Sequence, residues 1–87
     1  MNMDEIKDLV LHYLLCYHGC QTRAIKRICV DLCDRNYSEF DCRYDVIQAF
    51  KDLEQEGKII YIPVNEMNEL ERRYFESDSS PIYRIVN

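Results

Sequence analysis

Five cysteines and two histidines carry the most versatile chemistry in this chain of 87 residues. Cys16 and Cys20 stand four apart, as do Cys29 and Cys33, while Cys42 stands alone. His12 precedes Cys16 by four positions. On a helix that spacing puts both members of a pair on one face. Thiols and imidazoles can ligate zinc, and structural sites favour cysteine pairs set about a tight turn. Cys16 and Cys20 straddle Gly19, which allows such a turn; Cys29 and Cys33 fall inside a helical pattern. Cys29, Cys33 and Cys42 also lie on or near apolar stripes, where a free thiol behaves as a small hydrophobe. An odd cysteine count behind the acidic start Met1-Asn2-Met3-Asp4-Glu5 suits reduced thiols in a cytoplasmic protein. Packing, with no metal and no cofactor, is the role expected of them.

Catalysis finds little to work with. No nucleophile, base and orienting acid stand in a recognisable pattern, and Gly19 and Gly57 are the only glycines, so no phosphate-cradling loop exists. His18, beside Gly19, reads as the last residue of a helix, where a cation suits the helix dipole. A domain of this size has little room for a buried cleft. The expectation is that the protein is not an enzyme.

The chain has the length of one domain, residues 1–87, and apolar residues make up 47% of it, enough for a core. The longest uncharged apolar run, Leu9–Cys20, is too short to cross a bilayer. A first helix is expected over 4–18, with Ile6, Leu9, Val10, Tyr13, Leu14 and Tyr17 on one face and Gly19 as its stop. Leu11 and Leu15 point away from that face and either meet the segment between the strands or form a dimer surface. A second helix over 22–35 is capped by Thr22, buries Ile25, Ile28, Cys29 and Leu32, and stops near Asn36. A third, over 39–56, starts at Ser38 with Asp41 in capping-box spacing, buries Cys42, Val46, Ala49, Phe50 and Leu53, and ends at Gly57. Residues 59–62 and 82–86 have strand composition and should pair antiparallel, with Ile60 and Ile62 facing the helices. The long segment between them, 64–80, includes a short helical pattern: Asn65 can cap, Met67, Leu70 and Tyr74 share a face, and Glu69 and Arg73 stand i,i+4. The fold class is therefore α+β: three helices and a C-terminal antiparallel hairpin with a long insertion.

That order of elements, and above all Asp45-Val-Ile-Gln-Ala-Phe-Lys-Asp-Leu-Glu-Gln-Glu-Gly-Lys-Ile-Ile-Tyr-Ile62, resembles the third helix, glycine stop and first wing strand of the winged-helix superfamily. The resemblance covers nearly the whole chain and is one of pattern. It implies a DNA-binding regulator of transcription or replication, whose third helix enters the major groove and whose wing touches phosphate. The insertion departs from the pattern in being long and acidic. Contacts made by the Z-DNA-binding winged helices would fall on Ile47 and Lys51, so that activity is not implied. The paired cysteines also resemble those of small intermembrane-space chaperones, but an eight-residue spacer and a strand-forming tail argue against that match.

Charge divides the functional expectation. The net charge is −5, the wrong sign for nucleic acid. The second helix carries Arg23, Lys26, Arg27 and Arg35 against Asp31 and Asp34, whereas the third helix and the insertion are acidic. Opposite the buried stripe of the third helix lie Tyr44, Gln48, Lys51 and Gln55, flanked on one edge by Asp41, Asp45 and Asp52. Gln can pair with adenine, and Lys with guanine or phosphate. If the resemblance holds, double-stranded DNA would be held by that strip together with Arg23, Lys26, Arg27, Arg72 and Arg73. The alternative is a protein-interaction module, an acidic mimic of nucleic acid included, whose third helix and insertion (with Glu66, Glu69 and Glu71) meet a basic protein partner.

Overall fold

The computed structural model describes residues 2–87, apart from the side chains of Glu39 and Phe40. Helix α1 spans Met3–Cys16, α2 Gln21–Cys33, α3 Glu39–Gln55 and α4 Glu69–Asp78; strands β1 and β2 are Ile59–Tyr61 and Tyr83–Ile85. The fold is α+β, with α1, α2 and α3 packed on one another and the two strands paired antiparallel. Helix α4 lies between the strands in sequence, following a 3₁₀ turn at Val64–Glu66. No described helix is long and apolar enough to cross a membrane.

Local chemistry accounts for most helix ends. The Asn2 side chain accepts from Glu5 N–H at 3.0 Å and opens α1. Ser38 Oγ accepts from Asp41 N–H at 3.1 Å and opens α3. Gly57, at φ 74°, ends α3 in a Schellman motif: Lys58 N–H donates to the Leu53 carbonyl and Gly57 N–H to that of Glu54. Asn36, at φ 64°, turns the chain after α2 as expected.

The start of α2 is capped from far along the chain. Thr22 was expected to cap, but it already lies inside the first turn, and Cys20 holds the cap position without a side-chain bond. Instead Thr22 N–H donates to the buried Ser80 Oγ at 2.9 Å, and Gln21 N–H to the Pro81 carbonyl at 3.1 Å. Gly19 is likewise more than a helix stop. The first left-handed residue after α1 is His18, at φ 53°, followed by Gly19 at φ 83°. Gly19 accepts from Tyr83 N–H through its carbonyl, and a Cβ on it would lie 2.1 Å from the Tyr83 carbonyl oxygen. Only glycine permits β2 this close.

The main core joins Ile6, Val10 and Leu14 of α1, Ala24, Ile28 and Leu32 of α2, and Cys42, Val46, Ala49, Phe50 and Leu53 of α3 to Ile59 of β1. The expected inward residue Ile60 is instead 48% exposed, and Ile59 takes the buried place, paired with Ile85. Ile62 is buried as expected, but beyond the strand and in a second cluster with Cys20, Met67 and Ile82, onto which Tyr17, Tyr74 and Phe75 pack. Through that cluster α4 is fastened to the junction of α1 and α2.

The expected inner face of α4 is also corrected. Asn68, not Asn65, caps it: Asn68 Oδ1 accepts from Glu71 N–H and Glu71 Oε1 from Asn68 N–H, both at 2.9 Å. Leu70 is exposed, while Glu71 is only 4% exposed. Burial of that carboxylate is offset by Arg84 of β2, which binds it through two nitrogens at 2.7 and 2.8 Å.

Candidate nucleic-acid interface

Because Cys42, Val46, Ala49, Phe50 and Leu53 turn inward, the opposite side of α3 must face solvent. Tyr44 is 64% exposed there, and Lys51 and Gln55 are exposed on the following turns. Gln48 is only half exposed, and its amide donates to Asp52 at 2.9 Å, so it is not a free reader of bases. The carboxylates along the neighbouring edge have partners inside the molecule. Tyr37 donates its hydroxyl to Asp45, and that bond is the first cause lifting the phenol to about 12. Lys7 of α1 reaches Glu56 at 3.1 Å and Asp52 at 4.0 Å. Bonding to Glu56 holds the ammonium above its usual range.

The basic side chains of α2 are divided. Arg23 Nε donates to Asp78 of α4 at 2.7 Å. Arg27 lies 3.5 Å from Asp31 and 6.0 Å from the centre of the Tyr13 ring. Arg73 pairs with Glu69 at 3.0 Å, and Arg72 turns to the Val64 carbonyl at 3.5 Å. Both sit on α4, whose apolar cluster contains no α3 residue. With Gln48, five of the expected DNA contacts are thus engaged within the molecule, two of them on a helix fastened elsewhere.

Lys26 is different. It lines a groove of about 640 Å³ beside α2, together with Ile25, Cys29, Val30, Cys33 and Asp34 of that helix region and Arg43 of α3. Among the described residues Lys26, Arg43 and Lys51 make no ion pair. Arg43 was not in the expected set, yet it shares this unpaired state and the groove with Lys26. It begins the i,i+4 row Arg43-Ile47-Lys51, at the margin of the strip centred on Tyr44 and Gln55. That row was the signal that could have found it.

The candidate dimer residues separate. Leu11 packs against the core, whereas Leu15 is 71% exposed. Of the cysteines, Cys42 is buried and its thiol is pushed up to about 12, first by burial and then by the thiols of Cys29 and Cys33. Cys33 is exposed, not buried, and Cys20 donates to Asp78 at 3.7 Å. Among the described residues no group of three or more His, Cys, Asp or Glu could hold a metal ion. Comparison of the chain with protein-family models, curated proteins and solved structures finds no match.

Proposed function

We propose that the chain is a small winged-helix protein that binds double-stranded DNA, with α3 as the helix laid in the major groove and the segment between β1 and β2 as the wing. A role in regulating transcription or replication follows from that reading. The observation that carries it is the outward face of α3. Lys51 and Arg43, and Lys26 in the groove beside Arg43, are free of ion pairs among the described residues, while Asp52 and Glu56 share Lys7 and Asp45 accepts from Tyr37. Tyr44 and Gln55 supply exposed groups for base edges between those cations. Three phosphate contacts would give a log affinity that falls with log salt at a slope of about −3. Fluorescence anisotropy of a labelled random duplex at low salt tests this. Binding near micromolar protein, lost in Lys51→Glu, is expected; no change in anisotropy at far higher protein concentration overturns it.

A protein-interaction module is the second reading, and the α2 groove favours it, since Val30, Cys29 and Ile25 offer an apolar seat to a partner side chain. An acidic insertion gripping a basic partner has less support, because Glu69, Glu71 and Asp78 are already paired with Arg73, Arg84 and Arg23. Val30→Asp would remove partner binding under this second reading and leave DNA affinity unchanged.

A further inference from the structure

We propose that His12 and Cys16 are one half of a tetrahedral zinc site that a second copy of the chain completes. The two residues stand one turn apart on α1, both exposed, with His12 Nε2 and Cys16 Sγ 3.7 Å from each other. A nitrogen and a sulfur on one tetrahedral zinc ion, bound at about 2.05 and 2.3 Å, are separated by about 3.6 Å. The side chains therefore already converge at the spacing that shared ligation requires. The i,i+4 arrangement is the one by which a helix offers two ligands to one ion.

The half-site lacks a third ligand among the described residues of the same chain. Structural zinc is almost always held by four, and a two-fold axis through the ion would double His12 and Cys16 into a closed His₂Cys₂ set. Each Cys16 thiol gives up its proton to solvent as it binds.

Leu15 lies between the two ligands in sequence and is the most exposed of the described large apolar side chains, at 71%. It is the contact that a second copy would cover. An antiparallel crossing of the two α1 helices at residues 12–16 carries the acidic first turns, with Asp4 and Glu5, to opposite ends of the contact. The inference is independent of DNA binding, since α1's outward face is not part of the α3 strip.

The test is a titration of the full chain, kept reduced, with cobalt(II) or zinc, followed by absorption and by sedimentation. One metal ion per two chains is expected, with the visible bands of tetrahedral cobalt, a thiolate charge-transfer band, and a dimer that a chelator returns to monomer. His12→Ala and Cys16→Ser should each abolish both signals with circular dichroism unchanged, since both side chains are exposed. Leu15→Ser, which keeps the ligands, should raise the protein concentration needed for the metal-linked dimer about tenfold. No cobalt spectrum, one ion per monomer, a dimer indifferent to chelator, or metal binding intact in Cys16→Ser would each overturn the proposal.

Discussion

The outward face of α3 and the seam between α4 and the rest of the molecule hold charge in opposite ways. Along the seam, opposite charges from distant parts of the chain meet: Arg84 of β2 on Glu71, and Arg23 of α2 on Asp78. On α3, Lys51 and Arg43 point outward without an ion pair among the described residues. The formal charge of each element does not reveal this contrast. The basic excess of α2 and the acidic excess of the insertion, counted separately, suggest two binding surfaces; in the folded chain they partly cancel across one junction. A paired charge has spent most of its reach on its partner, and only an unpaired one is available to a ligand.

The sharpest way to break the seam is at Gly19. An alanine there would meet the Tyr83 carbonyl at 2.1 Å while holding φ near 83°, so β2 has to move. The expected cost of Gly19→Ala is about 3 kcal/mol, combining left-handed strain with displaced packing. Gly57→Ala shares the backbone strain, at φ 74°, but meets nothing within 4 Å. It should cost about 1 kcal/mol. Urea unfolding of both variants measures the difference; equal losses would mean that the close approach of β2 contributes nothing.

Next in size is Glu71. Glu71→Ala leaves the Asn68 N–H without its acceptor and Arg84 with only the Glu66 carbonyl, at an expected cost of about 2 kcal/mol, less than for a fully buried pair because Arg84 is half exposed. Arg84, helped by the Asn68 N–H, holds this carboxyl below the usual carboxylate range. A depressed folded-state pKa contributes stability that is fully present above the unfolded value, about 4.3, and is lost as pH falls through the folded value. The stability gap between the wild type and Glu71→Gln should therefore be widest near neutral pH and close in acid. A gap that widened on acidification would contradict the assignment.

How much of this was legible beforehand differs between the same two regions. The α3 face could be read because one helix supplies it: Ser38 and Gly57 mark its ends, and the 3.6-residue period places Tyr44, Lys51 and Gln55 outside. The period could not show that Gln48 would spend its amide on Asp52, nor that Arg43 would line the groove with Lys26. The seam was nearly invisible, because its bonds to α2 join residues more than fifty positions apart, Thr22 to Ser80 and Arg23 to Asp78, and the Arg84–Glu71 pair depends on the strand pairing. Strand register was hidden for another reason. Ile59-Ile60-Tyr61-Ile62 is apolar throughout, so no alternation tells whether Ile59 or Ile60 faces inward. The buried Glu71 reads in sequence as one more acid on an exposed helix, and only Arg84, brought over by the strand pairing, makes its burial tolerable.

The smallest predicted effects sharpen the comparison most. Lys51→Gln should leave unfolding free energy within about 0.5 kcal/mol of wild type, as surface substitutions do. If α3 contacts phosphate, the same change lowers the salt slope of DNA binding by about 1. Arg23→Gln removes an equal charge from the chain, yet its guanidinium sits 2.7 Å from Asp78. Losing that cation also frees Asp78, whose carboxyl is held low first by Arg23, and whose negative charge remains at neutral pH. Were net charge alone the determinant, the two variants would weaken DNA binding equally. Local availability predicts instead that Arg23→Gln alters affinity by less than about twofold at moderate salt, where screening confines the freed Asp78 to its own neighbourhood within about 10 Å. Anisotropy titrations of both variants over a range of salt separate these cases, and equal slopes for the two would remove the distinction between seam and face.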